Sequence, residues 1–473
     1  MVAGVALALP MEEARADCTA DHLGQCTIDL FQGPVLAPSR ATGLSGAFAA
    51  YAEGVDAIDS NAAAVAVRAP YSLDWFDFDL TFGVGFPATF RRTDFDNDGA
   101  VGFTYNDFLF YTLGGQVEIG PWGVGLLGDF QRYDVVSATS GANLGGTETL
   151  GRLHALVGRY FFGGRLSIGA GARIVTLSVD TTQDGGPTNQ LTMDGVGPEI
   201  GVLVRPDYEP WRLGATFRAQ VTGHASSGTD AAGTGTSLLR PASISLPWEL
   251  ELGAAIQVGP RPLNPHWLDP QEQEERVRQQ IDEDRSLRRA AQQAEIEGIA
   301  GEAPRSERRE QLDYQESFVR RQEDEQLESA RQSLLLERKA RYANWPRERI
   351  TVLLALLVSG KSDDAIGLEA FFAAQAGNAS SSFKRSGQSV SYSPRLGLEG
   401  EPLPDRIQTR IGTYIEPSRF GRIARQHFTF GFDVKLFPWS MFGIAGDQIW
   451  RIGGVTDLAP RYQSFGLSIG AWH

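Results

Sequence analysis

Asp94-Phe95-Asp96-Asn97-Asp98-Gly99 is the run whose spacing best suits a hard cation. Carboxylates at alternate positions converge on one centre, and a glycine at the sixth position permits the sharp turn. Asp94, Asp96 and Asp98 are therefore candidate calcium ligands. The twelfth position is Tyr105, where a calcium loop carries a bidentate glutamate. The same run also reads as the polar tip of a hairpin. Apart from this optional calcium, the chain calls for no cofactor. Cys18 and Cys26 lie eight residues apart, and no C-x-x-C occurs, so zinc and dithiol redox chemistry are not expected. In an oxidising compartment the two close one small loop; otherwise they are inert thiols. The six histidines and the serines show neither nucleophile-elbow nor metal spacing. No carboxylate pair stands out for acid–base work without a geometry to select it. The expectation is a protein that is not an enzyme.

The elements that position these residues are mostly strands. Glycine makes up 54 of 473 residues, about 11% against a usual ~7%. Mean hydropathy is -0.21, and no apolar run approaches the roughly 20 residues of a membrane-spanning helix. The net charge of -15 argues against a nucleic-acid partner. From Trp75 onward, apolar and polar residues alternate with period two. Leu166, Ile168, Ala170, Ala172 and Ile174 oppose Arg165, Ser167, Gly169, Gly171 and Arg173; Trp211, Leu213, Ala215 and Phe217 oppose Arg212, Gly214, Thr216 and Arg218. Such segments are longer than the ~5–6 residues usual in soluble sheets. Their second face is glycine, hydroxyl and charge, which suits the bore of a barrel. Tryptophans gather near segment ends, as interfacial girdles do.

The pattern predicts an all-β fold: a transmembrane antiparallel β-barrel of about 14 strands. These fall near 75–90, 103–119, 122–134, 150–162, 165–180, 190–205, 210–222, 245–258, 348–359, 387–400, 405–416, 426–437, 440–451 and 461–472. Connections alternate short and long, the rhythm of short periplasmic turns and long outer loops. A bore of this width is too wide for wall side chains alone to fill, so a plug is expected from the small-residue segment 17–74. One short helix is expected there between Gly46 and Gly54. Residues 1–16 read as the back half of a signal peptide, with Ala14-Arg15-Ala16 before Asp17, or as a small apolar tail.

Residues 268–346 break the pattern, being rich in Glu, Gln and Arg. Asp269-Pro270-Gln271-Glu272 is a capping box with proline at the first helical position. Gly298 to Pro304 reads as a turn, with Ser306 capping a second helix that ends near Tyr342. The organisation is therefore a leader at 1–16, a hatch at 17–74 and strands one to eight at 75–258. A charged helical-hairpin insertion follows at 259–347, then strands nine to fourteen at 348–473. Strand parity puts the insertion on the periplasmic side, where it is either solvated or docks a periplasmic protein.

Ser39-Arg40-Ala41-Thr42-Gly43-Leu44-Ser45-Gly46-Ala47-Phe48, followed by Asp56-Ala57-Ile58-Asp59-Ser60-Asn61-Ala62-Ala63, resembles the N-terminal hatch of the FadL-type outer-membrane transporters. Ser245 to Gly253, Ser393 to Glu399 and Arg410 to Tyr414 fit the same family. The family's hatch carries Asn-Pro-Ala where this chain has Asn61-Ala62. The resemblance implies a 14-stranded barrel in the bacterial outer membrane, surrounded by lipid. It implies an N-terminal hatch with Arg40, Gly43, Gly46 and Asn61, and passive uptake of hydrophobic molecules such as long-chain fatty acids. It also implies a side exit at a kinked third strand, here with Gly123, Gly125 and Gly128. PorV-like relatives share barrel and hatch but serve secretion, so a scaffold is the alternative. Among the inward charges, Arg173, Arg212, Arg218, Arg395 and Arg410 are candidates for a ligand carboxylate, through their bidentate forks. The leading reading of the inward charges is a salt-bridge network anchoring the hatch.

Overall fold

The computed structural model describes residues 18–19, 22–68, 75–87, 93–99, 103–137, 145–183, 186–224, 240–267, 269–373, 384–439 and 448–472. The expected leader at 1–16 lies outside them. Fourteen antiparallel strands close into one barrel. In chain order they are β1 (Phe76–Gly85), β2 (Phe103–Ile119), β3 (Trp122–Ser137), β4 (Gly145–Phe161) and β5 (Leu166–Gln183). Next come β6 (Gly186–Val204), β7 (Trp211–Arg218), β8 (Glu249–Val258) and β9 (Ile350–Ser359). The last are β10 (Ser391–Leu403), β11 (Ile407–Glu416), β12 (Arg425–Trp439), β13 (Gln448–Ala459) and β14 (Tyr462–Ala471). Neighbours in the chain are neighbours in the barrel, and β14 closes on β1 with Leu467 opposite Val84. Closure removes the free edges a sheet would otherwise expose.

The alternation is real on the outer face. Leu113, Val124, Leu126, Val196, Leu213, Ile256, Leu354, Phe428 and Leu467 all point outward and exposed. On β5 the outward apolar stretch runs from Leu166 to Ile174, nine residues. At ~3.3 Å per residue and ~40° tilt that spans about 23 Å, close to the ~25 Å band of outer-membrane barrels. Above Arg173 the polarity inverts: Val175, Leu177 and Val179 turn inward and are buried. Leu191 and Met193 do the same on β6. The tall wall of β4 to β6 thus rises past its apolar band and packs its inner face against a cap.

That cap is a five-stranded sheet ordered Arg385–Ser386, Ala365–Gly367, Thr27–Asp29, Ser243–Leu246, Val221–Gly223. Thr27–Asp29 lies parallel to both its neighbours. Ile28, Leu30, Ile244, Leu246, Ile366 and Phe371 bury themselves against Leu150, Val175, Leu177 and Met193. The sheet corrects two expected strands. The seventh, expected to run to 222, leaves the barrel after Arg218, and the eighth, expected from 245, joins it only at Glu249. Pro247 has no N–H to give a ladder, so the switch between sheets falls there. The thirteenth strand is Gln448–Ala459 rather than 440–451, whose first part lies outside the described residues. Ile452, Thr456 and Leu458 carry its outward face, and Gly453-Gly454 sits inside it rather than ending it.

The insertion forms a helical hairpin, α2 (Pro270–Gly298) and α3 (Glu302–Ala343). It leaves the barrel between β8 and β9, at the same rim as the tight β2–β3 and β10–β11 turns. The second helix starts before the expected cap at Ser306, because Pro304 is tolerated in a first turn. At 1.5 Å per residue α3 is about 60 Å long. Ile281 and Ile296 of α2 and Leu312 of α3 are buried, and ion pairs cross between the arms: Arg285–Glu323 at 2.7 Å, Arg331–Glu274 at 2.7 Å and Arg308–Glu295 at 2.8 Å.

Candidate functional site: the plugged bore

Residues 31–68 fill the bore. The expected helix at 46–54 is not formed; a single helical turn, α1 (Ser39–Gly43), precedes it. Ser45 and Gly46 then take left-handed backbone, at φ 57° and 70°, and break the helix. The alanine-rich run beyond closes on short i→i+3 bonds, such as Ala47 N to Leu44 O and Tyr51 N to Phe48 O. Asn61 caps the 3-10 turn Ala62–Ala66: its Oδ1 accepts from Ala63 N at 2.9 Å, and its Nδ2 donates to Ala49 O and Val202 O. Glycines on the inner wall admit the hatch backbone. A Cβ on Gly169 would lie 1.9 Å from Ala62 O, and one on Gly214 would lie 2.2 Å from Ala49 O. A Cβ on Gly43 would lie 3.2 Å from the Cα of Gly431 in β12, and the Gly43 carbonyl accepts from Thr429 Oγ1 at 3.0 Å.

Charge holds the hatch to the wall. Arg40 (2% exposed) pairs with Glu399 of β10 at 3.2 Å and stacks over Phe48 and Tyr51. Arg410 of β11 meets the same Glu399 at 2.7 Å and Asp433 at 2.7 Å. Arg212 of β7 binds hatch Glu53 at 2.6 Å. Arg395 donates to Gly46 O at 3.2 Å and lies 3.6 Å from Glu251. Arg173 pairs with Glu249 at 2.6 Å. Arg218 lies between Glu251, Glu249 and Glu199 and donates to hatch Asp59 O. The five arginines named as candidates for a ligand carboxylate or a salt-bridge network are thus placed in ion pairs; Arg212 pairs with a hatch carboxylate, and Arg218 and Arg395 also donate to hatch carbonyls. A guanidinium buried without a partner is expensive, and the acids selected for these positions remove that cost.

Sequence reasoning missed residues of equal weight. Tyr51 and Glu53 carry the hatch side of the network, while Arg349 donates to Tyr51 Oη at 2.6 Å and pairs with Glu399 and Glu401. Arg451 bridges Asp433, at 3.0 Å, and hatch Asp56. His427 is wholly buried, with Nδ1 2.8 Å from Asp457 and Nε2 2.6 Å from Glu416. Parity places Arg349, Arg451 and His427 on the inner face but says nothing of their partners; nothing local marks Tyr51 or Glu53.

At the glycines of the expected side exit, β3 is paired with β2 and β4 along the apolar band: Gly123 faces Glu118 and Gly158, Gly125 faces Gln116 and Leu156, and Gly128 faces Leu113 and Leu153. Gly123 and Gly125 are small because the hatch lies on them; a Cβ at Gly123 would overlap Val65 O. The irregularity in this wall is a bulge in β2 between Asn106 and Leu109.

Asp94, Asp96 and Asp98 do converge, with ligand oxygens within 4.8 Å of one another. Their charge is partly answered by the chain. Asp98 pairs with Lys384 at 2.5 Å, and the Asp94 oxygens accept from the N–H groups of Asp98 and Gly99. Burial, reinforced by Asp98 and Asp94, pushes the Asp96 carboxyl up to about 8. Arg425 donates to Asp94 O at 2.7 Å and Ser418 to Asn97 O at 2.8 Å, so this loop is tied to the β11–β12 connection over the mouth. Cys18 and Cys26 are joined as a disulfide beside the cap sheet.

The chain matches no protein-family model and no curated protein sequence. Among solved structures it is similar to the CymD monoaromatic hydrocarbon channel, at 9% identity and TM-score 0.46, covering 92% of this chain and 96% of that one. It is also similar to a FadL homologue of Pseudomonas aeruginosa (10%, TM-score 0.43, 96% and 98%). The toluene transporter TodX of P. putida gives 11% and 0.45, with 93% and 98% covered. At these values the likeness transfers no residue role and no ligand.

Proposed function

We propose that this chain is a channel of the bacterial outer membrane for passive uptake of hydrophobic small molecules, with long-chain fatty acids the first cargo to test. The observation that carries the reading is a closed barrel, apolar on its outer face, whose bore holds a folded hatch by side-chain ion pairs. Such a hatch can shift by exchanging partners within its network, which a plug of wall strands could not do. In this reading lipid covers the band from Leu166 to Ile174 and its counterparts. A signal peptide delivers the chain, a periplasmic protein contacts 268–346, and the bore does no covalent chemistry.

The test is uptake of a labelled long-chain fatty acid into liposomes holding the purified barrel, beside a variant with 269–343 replaced by a short linker. Uptake in both is expected. No uptake in either, with folding shown by heat-shifted gel mobility, would overturn the fatty-acid assignment. A second reading, a PorV-like scaffold for secretion or envelope assembly, is favoured by the extent to which the bore's arginines are consumed in ion pairs. The negative result would move the assignment to it.

A further inference from the structure

Both roots of the helical hairpin are built into the hatch. The chain leaving β8 does not go straight out from the rim. It crosses beneath the bore, and Leu263 is buried in the same apolar cluster as Ala47, Phe48, Ala50 and Tyr51 of the hatch. Arg212 joins the two: Nη1 holds hatch Glu53 at 2.6 Å, while Nε donates to Asn264 Oδ1 at 2.6 Å and Nη2 to Leu263 O at 2.5 Å. Asn264 is 2% exposed and anchors itself to the wall through Glu209 O and Trp211 O. Further along, Trp267 lies under the guanidinium of hatch Arg68, 4.4 Å from ring centroid to Cζ. The returning root is tied in the same way. Arg349, immediately before β9, donates to hatch Tyr51 Oη at 2.6 Å and reaches Glu399, which also binds hatch Arg40. Glu401 accepts from both roots, 2.7 Å from Arg261 and 3.3 Å from Arg349.

We infer that the hairpin is a control arm for the hatch: a load on the helices is delivered through Asn264 and Arg349 to the Tyr51–Glu53 turn, and shifts the hatch in the bore. The physical warrant is continuity. Each step is a buried, charge-assisted hydrogen bond, and buried charges change partners rather than stretch. Displacing a root must therefore either break a pair on Glu53 or Tyr51 or carry that residue with it. A solvated insertion would need only a rim attachment; this one spends buried arginines on plug residues. Linkage makes the coupling reciprocal, so a change in hatch position also changes the hairpin's affinity for whatever binds it. The inference goes beyond the channel reading, since it holds whatever the cargo.

Hydrogen exchange over 40–68 tests it, on the full chain in detergent micelles. In Asn264→Ala and in Arg349→Gln, amides of 44–58 should exchange roughly tenfold faster, the effect of losing about one charge-assisted hydrogen bond, with β3 to β5 unchanged. Unchanged hatch exchange in both variants overturns the inference. A merely structural role would give the same acceleration, so a second arm loads the hairpin itself. An epitope is inserted in the turn 299–301 and its antibody fragment bound. Hatch exchange should change in the otherwise wild-type chain and not in the Asn264→Ala/Arg349→Gln double variant. No change with the fragment bound, or an equal change in the double variant, overturns the inference. Fatty-acid uptake on the same proteins separates the two claims. A chain that takes up nothing, yet whose hatch answers the hairpin, keeps the arm and loses the channel.

Discussion

At the scale of the residue, the bore is an exercise in not leaving a charge alone. Arg212→Ala would leave Glu53 buried without its closest cation. Losing one member of a buried pair costs ~3–5 kcal/mol. The expected outcome is a hatch that unfolds or leaves the bore while the barrel stays closed, read as new ion conductance with unchanged heat-shifted mobility. Asp96 gives a pH prediction. Its carboxyl is pushed from an ordinary 3.8 up to about 8 in the folded loop by burial and by the neighbouring Asp98 and Asp94. Between those values the folded loop holds a proton that the unfolded chain has shed, so stability falls as pH rises through that window. Thermal melting between pH 5 and pH 8.5 should show the loss, and Asp96→Asn should flatten it.

Elements show where period two was enough and where it was not. The strand number follows from the alternation, which reports a strand with unlike faces whatever its neighbours, although the thirteenth segment is expected at 440–451 and the strand is Gln448–Ala459. The same rule misplaced strand ends at 218 and 249, since 221–223 and 243–246 are also strands and differ in which sheet they join. The hatch helix was misplaced for a related reason: alanine favours helix, but Ser45 and Gly46 take left-handed backbone to let Gly46 O reach Arg395. The wall glycines carry a test at this scale. Gly169→Val puts a side chain where Ala62 O now lies. It should expel the 3-10 turn at Ala62–Ala66 and raise hatch exchange, leaving the barrel strands protected.

For the whole molecule, the outer face decides the solvent. A lysine in mid-band should cost ~2–4 kcal/mol and one above the band little. Leu126→Lys is expected to lower the folding yield into bilayers by that amount, measured as the heat-shifted fraction. Thr176→Lys also faces outward but lies above the inversion, and should fold as the wild type does. Equal losses at both sites would place the membrane band elsewhere.

The amino-acid sequence by itself determined the strand number, the outward face and the helical insertion. Each follows from local sterics and side-chain partition, which need no partner. It also marked the inward arginines by parity. What they do was decided only by tertiary structure. Arg40 finds Glu399 across 359 positions and Arg212 finds Glu53 across 159. Those meetings depend on barrel closure and on how the hatch lies in the bore. A charge that is free on a lone strand is neutralised once the wall curves round and brings a hatch carboxylate within hydrogen-bond reach.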